Sequence, residues 1–146
     1  MSVKPGVLDA NVLVYAINAD APHHAASRAL LETAREPTVT LYVTSQILCE
    51  FYSLITNPRR VAVVSSLTEA VRIISALLAL PGLHVLPIPV GAAAGWMALL
   101  QRGPVTGADI YDLQIVATMQ ANSVQRIYTF NTADFEIFAE LEVLTP

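Results

Sequence analysis

"GVLDANVLVYA", residues 6–16, decides how this chain is read. Val7-Leu8 has the character of a buried strand, Asp9 breaks the hydrophobic run, and Asn11 stands where the chain should swing from strand into helix. The pattern returns near the other end in "IYTFNTADFEIF", residues 127–138, where an apolar strand turns polar at Asn131, Thr132 and Asp134. An acid directly after an apolar strand is either a helix cap or a ligand facing the strand's carboxyl end.

Between these stretches, short β-rich runs alternate with longer ones of helical spacing. Strands are expected at 6–8, 40–43, 83–86, 126–130 and 142–144. One helix can open at Pro22 and run to about residue 36. Thr44 or Ser45 can cap the next, which Asn57-Pro58 ends. Others fit 68–80, closed by Pro81-Gly82, then 90–102 and 107–122. This alternation predicts an α/β fold of three layers, α/β/α, around a mainly parallel sheet of four to five strands. With 146 residues, the chain is expected to form a single domain over 1–146.

Hydrophobic content is 54% and mean hydropathy is +0.53, which argues for elements covered on both faces and against disorder. The longest apolar runs, "VLVYAI" and "ALLALPGL", are far shorter than the roughly 20 residues that span a bilayer. No membrane span and no signal peptide are expected, and the chain reads as cytoplasmic. A lone cysteine, Cys49, agrees with a reducing compartment and is expected to be a small buried hydrophobe. The net charge of −4 is the wrong sign for gripping nucleic acid by bulk electrostatics. It leaves room for a nuclease, because carboxylates around a divalent ion are negative while the ion attracts phosphate.

Acids break the apolar pattern in four places. Asp9 is the first, with helix capping as its plain alternative. Glu50 flanks the stripe Ile47, Phe51, Leu54, Ile55, about 60° from Ile47 and about 40° from Leu54 at 100° per residue, so it edges the buried side. Asp112 lies within about 60° of Ile115, Val116 and Met119, on an apolar face where an unpaired carboxylate needs a cation or donors. Asp109, one turn earlier, can ligate or can simply favour the helix dipole. Asn131 and Asp134 form the fourth place, where they can bind or cap while Phe135 and Phe138 pack the segment down. Oxygen donors without His or Cys at matching places suit Mg²⁺ or Mn²⁺.

In order along the chain, "LDANVLVYA", "CEFYSLITNPRR", "DIYDLQIVATM" and "YTFNTADF" resemble the PIN-domain family, and within it the ribonuclease toxins of VapC-type toxin–antitoxin pairs. The resemblance covers essentially the whole chain. It implies that Asp9, Glu50 and Asp112 carry the first three acidic positions, with Asp109 as accessory or competitor for the third. The fourth position, often Asp in the family, falls on Asn131, with Asp134 three residues on. Asn11 and Thr129 match positions that support the acidic cluster. The implied activity is Mg²⁺- or Mn²⁺-dependent endonucleolytic hydrolysis of RNA, by in-line attack of water, leaving a 5′-phosphate and a 3′-hydroxyl. A homodimer and a small cognate antitoxin are the implied partners, and the 45–80 region, with its two helices and Arg59-Arg60, is expected to border the antitoxin surface.

Several other residues have plainer readings. Arg59-Arg60 can contact RNA phosphate or end a helix in solvent. Tyr15, Tyr52 and Trp96 can stack bases or pack. His23 and His24 suit an exposed helix start, and His84 a satisfied core position. Two other function classes stay in view. Asp9-Ala10-Asn11 loosely resembles the nucleophile loop of haloacid-dehalogenase-like phosphatases, but the only lysine, Lys4, precedes it and none follows. A PIN-like protein that binds RNA or a partner without cutting is the other, supported by the Asn at position 131.

Overall fold

The computed structural model describes residues 2–146. Five strands, β1 (Gly6–Leu8), β2 (Leu41–Thr44), β3 (Leu83–Leu86), β4 (Arg126–Tyr128) and β5 (Glu142–Leu144), form one sheet in the order β3-β2-β1-β4-β5. Every pairing is parallel, with Val7 opposite both Tyr42 and Ile127. Six helices flank the sheet: α1 (Ala10–Ile17), α2 (His24–Glu32), α3 (Ser45–Ile55), α4 (Leu67–Leu78), α5 (Ala92–Arg102) and α6 (Ile110–Ala121). The three-layer α/β/α expectation is met.

The strand order explains the layers. From β1 the chain steps outward to β2 and β3, then returns across the sheet to β4. Right-handed crossovers therefore put α1 to α4 on one face and α5 and α6 on the other. In agreement, α1 packs on α2 and α3, α3 on α4, and α5 on α6. The direction of winding reverses between β1 and β4, which opens a crevice at their carboxyl ends, the usual ligand position of such sheets.

Local chemistry fixes the boundaries. Thr44 caps α3, its hydroxyl accepting from the Ile47 amide at 3.1 Å. Ser66 accepts from the Glu69 amide at 3.1 Å and donates to the Glu69 carboxylate at 3.2 Å, a reciprocal cap that starts α4. Gly82 packs so closely on the turn after α2 that a Cβ would lie 2.7 Å from the Glu36 carbonyl oxygen and 2.9 Å from those of Ala34 and Val39. Phe51, Phe135 and Phe138 are among the largest fully buried side chains, and Leu113 to Met119 of α6 are buried apart from Gln114.

Several details differ from the sequence reading. The strand expected over 126–130 stops at Tyr128: the Thr129 amide still donates to the Leu144 carbonyl at 2.9 Å, but the Phe130 amide and the Thr129 hydroxyl are taken into the site described below. The helix expected from Pro22 is α2 followed by a 3-10 turn, Thr33–Arg35, and the one expected from 107 opens with a 3-10 turn, Gly107–Asp109. Cys49 is exposed, since it falls on the outer side of α3, away from Ile47, Phe51 and Ile55. His84 is exposed too: β3 is an edge strand, and its imidazole lies against Tyr42 at 6.1 Å between ring centres.

Candidate functional site

At the crevice, Asp9 ends β1 and caps α1, its carboxylate accepting from the Ala10 amide at 2.8 Å. Capping and a place in the site are thus compatible, because the second oxygen is left for other partners. That oxygen accepts from the Thr129 hydroxyl at 2.8 Å and from the Asn11 amide group at 3.4 Å. Asn11 also donates to Thr129 at 3.3 Å and accepts from the Phe130 amide at 3.2 Å, while the Thr129 hydroxyl accepts from the Asn131 amide at 3.0 Å. These bonds lock the end of β1 to the end of β4. Asp9 is only 6% exposed and Thr129 is fully buried.

Opposite stand α3 and α6, which reach this rim from the two faces of the sheet. Gln46 on α3 donates to the Tyr111 carbonyl at 2.9 Å and accepts from Gln114 at 2.6 Å, so the two helices are tied directly. Nothing in the sequence pattern distinguished these glutamines. The resulting cleft of about 560 Å³ is lined by Asp9, Asn11, Glu50, Asp112 and Asn131, together with Tyr15 and Arg60. An adjoining recess of about 200 Å³ is lined by Asp109, Asp112 and Asp134, so Asp112 borders both spaces. Arg59 does not line the cleft. Asn131 makes no side-chain cap bond, which removes capping as its account; Asp109 makes none either, and stands in the opening turn of α6, where an acid also suits the helix dipole.

The electrostatics of this cluster are one-sided. Burial raises the Asp9 carboxyl above its ordinary range against the Thr129 and Ala10 hydrogen bonds, and Asp134 adds to the rise. Burial raises Glu50 as well, with Asp9 repelling it. Asp112 is pushed up to about 7, by burial first and then by Asp9, Asp134, Glu50 and Asp109. All the charged groups acting on Asp112 are acids. Such a set calls for a cation.

Among the described residues, no three His, Cys, Asp or Glu side chains form a ready-made cage. The donor set fits an ion that keeps several waters and takes one or two carboxylates plus substrate phosphate, as Mg²⁺ does, with all donors oxygen. Asp134 matters here. Its charge reaches both Asp9 and Asp112, so the cluster keeps a fourth acid although Asn stands at 131.

An all-parallel doubly wound sheet with oxygen donors meeting at its reversal point is the architecture of a family of metal-dependent nucleases, and the chain belongs to it: the PIN domain matches residues 6–141. It is 32% identical over 120 residues to ribonuclease VapC43 of Mycobacterium tuberculosis, covering 80% of this chain and 79% of that relative, and equally to a VapC ribonuclease of Mycobacterium bovis. In fold it is similar to VapC20 of Mycobacterium tuberculosis, described as a sarcin-ricin loop cleaving toxin, with a TM-score of 0.71, 16% identity and coverage of 98% and 100% of the two chains. A toxin–antitoxin complex from Klebsiella pneumoniae gives a TM-score of 0.67 at 20% identity, covering 97% of each chain. At those identities the likeness to solved structures is one of fold.

Proposed function

We propose that this protein is a divalent-metal-dependent endoribonuclease, the toxin of a toxin–antitoxin pair, which hydrolyses RNA phosphodiester bonds in the acidic cleft. The observation that carries this reading is the convergence of Asp9, Glu50 and Asp112 from three elements on one cleft, where burial and mutual repulsion leave their charge without a protein counter-ion. The kinship with VapC ribonucleases points the same way.

Asp9, Asp112 and Glu50 would hold Mg²⁺ or Mn²⁺, with Asp134 and Asp109 adding negative potential from the recess. A divalent ion bound there supplies a lowered pKa for a water molecule and neutralises charge growing on the scissile phosphate. Asn11 and Thr129 fix the Asp9 carboxylate, so that its orientation costs nothing at the moment of reaction. Asn131 faces the cleft with its side chain uncommitted to a cap and can orient a water or a phosphate oxygen. Arg60, on the cleft wall, can contact phosphate, and Arg59 lies outside the lining.

The test is incubation of purified protein with a mixed RNA pool and Mg²⁺ or Mn²⁺, beside Asp9→Asn and Asp112→Asn. Loss of cleavage in both variants is expected. Equal cleavage by all three proteins would assign the activity to a contaminant.

For partners, a cognate antitoxin and a second copy of the chain are proposed. Val63, Leu67 and Val71, on the link between α3 and α4 and on α4 itself, are exposed. Beside them a groove of about 350 Å³ is lined by Val14, Ile17, Ile55, Val61 and Ile73, and it shares Val14, Asn18 and Val61 with the acidic cleft. An antitoxin segment lying there would run to the cleft mouth. Hydrogen exchange should show protection within 45–80 on complex formation, and its absence there would exclude this surface. Among the described residues no helix is long and apolar enough to cross a membrane, and a cytoplasmic site of action is proposed with the activity on RNA.

A further inference from the structure

We infer that Tyr15 is a base-stacking residue of the cleft, braced from behind by His23 and Phe130, and that it supplies binding to single-stranded RNA beyond what Arg60 and the proposed ion provide. The inference rests on the nuclease reading and deepens it.

The first observation concerns cations. Lys4 and Arg126 pair with Glu142, Arg28 and Arg35 with Glu32, and Arg102 with Glu140. Among the described residues that leaves Arg59, Arg60 and Arg72, and of these Arg60 lines the cleft. A net charge of −4 and a wall of carboxylates oppose a polyanion. Beyond Arg60 and the proposed ion, affinity must therefore come from contacts indifferent to charge, and stacking of bases on aromatic rings is the sequence-tolerant one.

The second observation is the placement of Tyr15. It lines the same cleft as Asp9, Glu50, Asp112 and Asn131. It is half-buried, yet it is not among the side chains packed against the hydrophobic core. Its ring is held instead by edge contacts, 5.2 Å between centres to His23 at 68° and 5.2 Å to Phe130 at 83°. His23 in turn stacks on Phe130 at 4.2 Å and 20°. The Tyr15 backbone is anchored as well, its carbonyl bonded to the His24 ring at 2.8 Å and to the Asn18 amide at 3.3 Å. The amide of Phe130 is fixed by Asn11, the residue that also holds Asp9. A rigid ring is thus set beside the proposed metal site, at little cost in side-chain entropy on binding. His23 and Phe130 are positioning residues, since they act through Tyr15.

The experiment reads binding and turnover separately. A non-hydrolysable analogue of an eight-nucleotide single-stranded RNA carrying one 2-aminopurine is titrated with protein in Mg²⁺, following anisotropy and the quenching that stacking causes. Steady-state cleavage of a mixed RNA pool is measured in parallel. Tyr15→Leu should weaken oligonucleotide binding about 10-fold, abolish the quenching, and raise KM with kcat unchanged. Tyr15→Phe should restore all three. His23→Ala should lower quenching partially and leave the melting temperature in place. Wild-type quenching retained in Tyr15→Leu, or a Tyr15→Leu loss confined to kcat, overturns the inference while cleavage by wild type still upholds the nuclease reading. Unchanged RNA binding with lost antitoxin binding would assign the ring to the protein partner and overturn it too. A wild type that neither binds nor cuts RNA would remove both readings together.

Discussion

Replacing Asp112 with Asn should stabilise the metal-free protein while destroying its response to metal. The carboxyl is pushed from an ordinary 3.8 to about 7 by burial and four neighbouring acids. An acid with a raised folded pKa binds its proton more tightly in the fold than in the unfolded chain. Its ionisation therefore costs nothing below pH 3.8, and the cost is complete above about 7. At ~1.36 kcal/mol per pH unit, the rise would be worth ~4 kcal/mol if the side chain were sealed from water. Asp112 is partly exposed, and screening of exposed charges reduces this to about 1–2 kcal/mol. Asp112→Asn should then melt about 3–6 °C higher than wild type at pH 8 with a chelator present, and the gap should close as pH falls toward 4. Adding Mn²⁺ should raise the wild-type melting temperature and leave the variant nearly unmoved. Thermal denaturation followed by circular dichroism, with chelator and with Mn²⁺, provides the measurement. A variant that melts below wild type at pH 8 without metal would refute the claim that this acid is held at a cost for the sake of a cation.

Thr129→Val removes the donor to Asp9 and the acceptor for the Asn131 amide, so the melting temperature should fall by the equivalent of about 1–3 kcal/mol and Mn²⁺ affinity, read by calorimetric titration, should weaken. Arg60→Ala should reduce RNA affinity and flatten its salt dependence, whereas Arg59→Ala should change both less; filter binding across a salt series separates them. Gly82→Ala would force a methyl against three carbonyl oxygens and should cost about 1–3 kcal/mol in denaturant unfolding. The Glu140 carboxyl is held down to about 2, chiefly by hydrogen bonds from Arg102, so its stabilising effect is present above 4.5 and lost as pH falls toward 2. The difference in melting temperature between wild type and Glu140→Gln should shrink over that range.

What the linear chain determined about this protein is whatever depends on neighbours a few residues apart. Apolar runs of strand length and stripes of helical spacing are local, so all five strands and the helices from residue 22 onward could be read within a few residues of their observed ends, as could the Thr44 cap. Asp9, Glu50 and Asp112 were legible because each sits against an apolar face where a charge is costly, and that anomaly is visible without coordinates. The exposure of Cys49 and His84 was not legible, since it turns on which side of α3 meets the sheet and on β3 lying at the sheet's edge. Nor was the bracing of Tyr15 by His23 and Phe130, the Gln46 link between α3 and α6, or the way Asp134 reaches Asp9 and Asp112 from the recess. Only the tertiary structure decided these, because the reversal of winding between β1 and β4 brings together segments that have no local energetic knowledge of one another. The burial, and then the repulsion, that raise the pKa of Asp112 exist only once that crevice has closed.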